Sequence, residues 1–158
     1  MTYELSAQDV ERIRRILVDL LDQSEADACL VCDQAGHVLA SENVNDVDPL
    51  LISALGAGVF VATKELARIL GEDEFSSVLH QGTSRSILMC STTEEALLVV
   101  LFSGENRVGL VKLYTPAAAT ALRNVFETVK TREATTELPD RHFVLKDTSN
   151  IFGDLKEE

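Results

Sequence analysis

Pro49-Leu50-Leu51-Ile52-Ser53-Ala54-Leu55-Gly56-Ala57-Gly58-Val59-Phe60-Val61-Ala62-Thr63-Lys64-Glu65-Leu66-Ala67-Arg68-Ile69-Leu70-Gly71 is the stretch around which the rest of this sequence has to be arranged. Asp48 precedes it as a candidate N-cap. Pro49 stands at the first helical position, where its missing N–H costs nothing, and Gly71 offers a left-handed stop at the far end. The spacing predicts a helix over 49–70. Its large apolar residues (Leu50, Leu51, Leu55, Phe60, Val61, Leu66, Ile69, Leu70) cover more than one stripe, and its middle is small: Ala54, Gly56, Ala57, Gly58 and Ala62. A helix apolar nearly all round is expected to be buried on two sides. Two glycines in mid-helix cost about 1 kcal/mol each relative to alanine, and close approach of another helix is the expected compensation.

Ahead of this helix, Ser6 can cap a first helix over about 7–23, with Asp9 in its first turn and Val10, Ile13, Leu17, Leu20 and Leu21 on its apolar face. Ala28–Cys32 reads as a buried strand and His37–Ser41 as its return, joined by the turn Asp33-Gln34-Ala35-Gly36. Behind it, strands are expected over 75–82, 86–91 and 96–103. The last is almost continuously apolar and therefore central, and the tight turns between them imply an antiparallel sheet. Residues 106–115 satisfy both a strand and a helical pattern, whereas 116–131 reads as helix. The expected fold class is α/β of the α+β type, in the order α-β-β-α-β-β-β-α.

At 158 residues the chain suits one domain, here bounded at 6–131, with 132–158 as an acidic, flexible tail. Apolar residues make up 46% and aromatics only 5%, so the core must be aliphatic. The net charge of −12 is concentrated at the ends: residues 1–48 carry −8 and 133–158 carry −4. That balance lacks the basic face that nucleic acid needs, and anionic membranes would repel it. No apolar run approaches the roughly 20 residues of a membrane span and no secretory signal is visible. Three cysteines, an odd count, fit a reducing cytoplasm.

Chemistry-bearing motifs are scarce. Cys29-Leu30-Val31-Cys32 is formally C-x-x-C, but it lies within a strand, where positions i and i+3 point to opposite faces; two apolar fillers explain it. Cys90, His37, His80 and His142 form no metal-ligand set. Gly56-Ala57-Gly58 lacks the third glycine and the strand-to-helix setting of a dinucleotide fingerprint, and no phosphate-binding loop or nucleophile elbow occurs. No catalytic residue, cofactor or metal is expected. An interaction architecture remains.

That architecture resembles the Roadblock family of dimeric regulatory modules. Leu55-Gly56-Ala57-Gly58 with Leu66-Ala67-Arg68-Ile69-Leu70-Gly71-Glu72 is similar to the family's helix-two signature, A-G-N-x-A-A-x-x-x-L-A-x-L-x-G-E. Glu74-Phe75 with His80-Gln81-Gly82 resembles its E-F…H-[EQ]-G segment. Leu97–Phe102 with Val108–Leu113 resembles V-L-V-V-I-F…L-G-L-V-[RK]-L. The likeness covers about residues 8–130 and is strongest to the bacterial MglB-like subgroup, regulators of the Ras-like GTPase MglA. Val59 replaces the motif's Asn, and Val61, Lys64 and Glu65 stand at positions usually small.

The resemblance implies a Roadblock-like five-stranded antiparallel sheet sandwiched by three helices, with 106–131 one helix bent, if anywhere, at Pro116. It implies a homodimer in which helix two and strand three meet their mates, involving Ala54, Ala57, Val78 and His80. It further implies a non-catalytic regulator that cradles a Ras-like, MglA-like small GTPase on Gly58, Val61, Ala62 and Glu65 and stimulates its GTP hydrolysis. The alternative is a Roadblock scaffold that assembles other proteins without affecting GTP turnover. Ile151, Phe152 and Leu155 are the candidate docking residues of the tail.

Overall fold

The computed structural model describes the backbone of residues 3–155 and the side chains of residues 3–136. The element order is α1 (Ala7–Ser24), β1 (Ala28–Asp33), β2 (Val38–Glu42), α2 (Pro49–Leu70), β3 (Ser77–Gln81), β4 (Arg85–Ser91), β5 (Ala96–Ser103), a 3₁₀ turn (Glu105–Arg107) and α3 (Val108–Leu155). This is the order expected from the sequence. All pairings are antiparallel, and the strands lie side by side as β2-β1-β5-β4-β3. β5 is central, and all but its last residue are buried.

The alternation of β5 divides the core. Leu98, Val100 and Phe102 turn to one face, where α1 and α3 lie side by side with Ile13, Leu17, Leu20, Leu122, Phe126 and Val129 fully or almost fully buried. Leu97, Val99 and Leu101 turn to the other face, where α2 lies across β1, β2 and β5 and contributes Phe60. Two helices thus cover one face and a single helix covers the other.

Local chemistry accounts for the helix ends. Asp48 accepts from the Leu50 N–H at 2.9 Å, and Gly71 takes φ 74° and donates to the carbonyls of Ala67 and Arg68, so both stops of α2 are where the sequence placed them. α1 opens with a reciprocal cap: Ser6 Oγ accepts from Asp9 N–H, and Asp9 Oδ2 accepts from Ser6 N–H at 2.8 Å. Here the sequence reading needs correction. Val10, counted on the core face, is 40% exposed, while Asp9 is 2% exposed. A carboxylate can be buried there because Arg132 of α3 donates to Asp9 Oδ2 at 2.8 Å.

The segment 106–115 is helical from Val108. Among the described residues Val111, Thr115, Ala118, Ala119, Leu122, Val125, Phe126 and Val129 are the buried positions of α3, and this spacing lays the helix on the sheet. Val111 and Thr115 continue the buried stripe of Ala118, Ala119 and Leu122, so the segment packs as helix rather than as a sixth strand. The contacts of α3 with the rest of the chain continue through Arg132 and Glu133.

Candidate functional site

The two sides of α2 have opposite fates. Ser53, Gly56, Ala57, Phe60, Thr63 and Ala67 are buried against the sheet. On the outer side Leu51, Leu55, Gly58, Ala62, Glu65 and Ile69 follow one another at alternating steps of four and three, the spacing of a helix–helix seam. Seven large apolar side chains of α2 lie open: Leu50, Leu51, Leu55, Val61, Leu66, Ile69 and Leu70, each at least 55% exposed. Within one chain this helix is therefore covered on one side, where the sequence predicted two. An open apolar surface of this kind marks a protein contact.

The mid-helix glycines divide between the two sides. A Cβ at Gly56 would stand 3.6 Å from Leu97 and 3.8 Å from Val99, ordinary contact distances, so this glycine faces the sheet rather than another helix. A Cβ at Gly58 would meet nothing within 4 Å. Gly58 thus opens onto the outer face together with Ala62 and Ala54. Ala57, expected among the residues that meet a partner copy, turns inward and is 6% exposed; its position on the helix directs it toward the chain's own sheet.

The charges of α2 are largely internal to the chain. Lys64 Nζ donates to the Glu94 carbonyl at 2.7 Å and lies 4.6 Å from the centre of the Phe60 ring, stapling the helix to the β4–β5 turn. Arg68 Nε donates to Glu65 Oε1 at 3.0 Å, and this pairing holds the Glu65 carboxyl below its ordinary range. Glu65 is placed on the open face with its charge matched by a neighbour.

β3 is one of the two sheet edges, β2 being the other. Val78 pairs with Met89 and His80 with Ile87, so all four share the α2 face of the sheet. Val78 is half-buried and His80 is exposed at the same edge. The structure therefore sets Val78 and His80 on the same side of the sheet as the outer face of α2. The sequence analysis had named Gly58, Val61, Ala62 and Glu65 on that face but not its leucines or Ile69. Leu51, Leu55, Leu66, Ile69 and Leu70 were read only as parts of a helix buried on two sides; their place opposite Ser53, Gly56, Phe60 and Ala67 was the available signal for the outer face. Ile151, Phe152 and Leu155 lie outside the described side chains.

The cysteines sit far from thiolate chemistry. Cys29 faces α1 and α3 while Cys32 faces α2. Burial pushes their thiols up to about 12 and about 11. Among the described residues no group of three or more His, Cys, Asp or Glu is placed to hold a metal ion.

A platform of one sheet, with a paired-helix face and a single-helix face, is matched by the family model described as Roadblock/LC7 domain over residues 12–102, more than half of the chain. The chain belongs to the Roadblock/LC7 family. Among solved structures it is similar to the gliding protein MglB of Thermus thermophilus, with 30% identity and a TM-score of 0.74, covering 80% of this chain and 97% of that one. It is likewise similar to Myxococcus xanthus MglB, with 26% identity and a TM-score of 0.74, covering 79% of this chain and 95% of that one. An uncharacterised protein of Aquifex aeolicus is 24% identical over 156 residues, spanning 97% of this chain and 96% of its own length. The Thermus MglB match extends beyond the family model to four-fifths of the chain, and the Aquifex protein matches it over nearly its full length.

Proposed function

We propose that this Roadblock protein is a homodimeric, non-catalytic regulator of a Ras-like small GTPase. The observation that carries the reading is the open apolar side of α2, too large and too continuous to be left to water. A second copy brought against Ala54, the β3 edge at Val78 and His80, and the adjoining leucines would cover it and protect an exposed strand edge. Gly58, Val61, Ala62 and Glu65 are the residues assigned to the GTPase. The likeness to MglB, at 30% identity, supports this partner class.

The face offers shape rather than chemistry. Arg68 is engaged by Glu65 and Lys64 by the Glu94 carbonyl, so neither projects freely toward a partner's phosphates. Stimulation of GTP hydrolysis would then come from holding the GTPase with its own catalytic groups aligned, and positioning is most of what phosphoryl transfer requires. The cytoplasm, where three free cysteines stay reduced, is the matching compartment. Ile151, Phe152 and Leu155 are the proposed docking residues at the end of α3.

The test is mass analysis in solution combined with single-turnover GTP hydrolysis by a Ras-like GTPase of the same organism, with and without this protein. A dimer that binds the GTPase and speeds turnover is expected. A dimer that binds and leaves turnover unchanged would replace the regulator by a scaffold. A chain that stays monomeric and binds no such GTPase would overturn the proposal.

A further inference from the structure

On the opposite side of the sheet from the open helix face, the first residues of the chain grip α3 at several points. Tyr3 is 7% exposed; its ring centre lies 4.6 Å from that of Phe126, and its hydroxyl pairs with Thr93 Oγ1 at 2.9 Å. Lys130 stands 5.8 Å from the centre of the same ring and 3.4 Å from Glu95. One turn on, the Glu4 N–H donates to Glu133 Oε1 at 2.9 Å, and Arg132 donates both to the Glu4 carbonyl at 3.1 Å and to Asp9 Oδ2 at 2.8 Å. These contacts fall where α3 ends its burial: Val129 is its last buried described residue, yet the helix continues to Leu155.

Asp9 is the joint of this arrangement. One oxygen, Oδ2, accepts from the Ser6 N–H and Oγ and from Arg132. The same carboxylate therefore caps α1 and pins α3. Drawing α3 away at this level exposes a buried carboxylate without its cation and frees Arg132.

We infer that residues 3–9 form a latch on α3, closed by Asp9 and Arg132, that fixes how the last twenty or so residues of the helix leave the domain. Any partner that draws this helical arm aside must open the latch, and any ligand of the amino-terminal residues must act on the arm; the coupling is reciprocal. The latch lies on the α1–α3 face and does not depend on the dimer or GTPase reading of α2.

Hydrogen exchange on the full chain tests it. In Asp9→Asn, which retains an acceptor for the α1 cap but loses the charge facing Arg132, amides of residues 134–155 are expected to exchange about tenfold faster while those of β1 and β5 are unchanged. Ser6→Ala weakens the cap and leaves the Asp9–Arg132 pair, so it is expected to leave residues 134–155 as in the parent. Unchanged exchange over 134–155 in Asp9→Asn, the same acceleration in Ser6→Ala, or acceleration spread equally into the central strands would overturn the latch. Should Asp9→Asn fail to fold, Arg132→Gln, which removes the same charge pair from the α3 side, carries the same comparison with the same readings.

Discussion

The two faces of the sheet are finished in different ways. The α1–α3 face is sealed by two helices, by Tyr3 over Phe126, and by a ring of polar pins in which Asp9, Arg132, Glu4 and Glu133 are paired. The α2 face is covered by one helix whose outer side is as apolar as its inner side. The first face is complete within the chain. The second is a core on its inside and an unfinished surface on its outside. The difference separates residues that make the domain stable from residues that make it associate, although both sets look alike in composition.

That separation can be broken at either face. The largest effect on folding is expected from Phe126→Ala, a fully buried ring under Tyr3. It should lower the unfolding free energy by about 3–5 kcal/mol in urea titration. A loss below about 1 kcal/mol would mean that the α1–α3 face is not the mainstay of the fold. The converse change is the double substitution Leu55→Glu and Ile69→Glu, at positions 71% and 67% exposed. Folding should be nearly untouched, whereas self-association should weaken by about a hundredfold or more in sedimentation. A dimer of unchanged affinity would show that α2 is not the contact.

Acid sharpens the comparison further. Asp9, held by Arg132 and by the Ser6 amide and hydroxyl, has its carboxyl lowered to about 2 from an ordinary 3.8. Its folded pKa is below its unfolded one, so its contribution is complete above about pH 4 and is lost as pH falls toward 2. The α1–α3 face is expected to loosen in that window, and Asp9→Asn should flatten this part of the stability profile. The smallest effect is expected at Glu25, which closes α1 with φ 58°. Glu25→Gly should gain up to about 1 kcal/mol in the same urea titration by relieving a left-handed non-glycine residue, offset by the greater freedom of the unfolded chain.

Much of this was legible in the sequence wherever the determining interaction spans a few residues. Asp48, Pro49 and Gly71 mark the ends of α2 because caps satisfy local backbone groups. The nearly unbroken apolar run of β5 marks a strand covered on both faces. Val108–Tyr114 was less legible because alternation and helical spacing coexist in it; the burial of Val111 in line with Thr115 and Ala118 marks it as helix only in the folded chain. The burial of Asp9 was not legible, because its partner, Arg132, lies 123 residues away.

α2 shows the division most plainly. Its length, its caps and its apolar character follow from the sequence by itself, since each depends on hydrogen bonds and spacings within a few turns. Which side lies against the sheet was decided by the tertiary structure. Ser53, Gly56, Ala57, Phe60, Thr63 and Ala67 are buried on the side that Leu97 and Val99 meet, and a helix laid on a sheet leaves its opposite side bare.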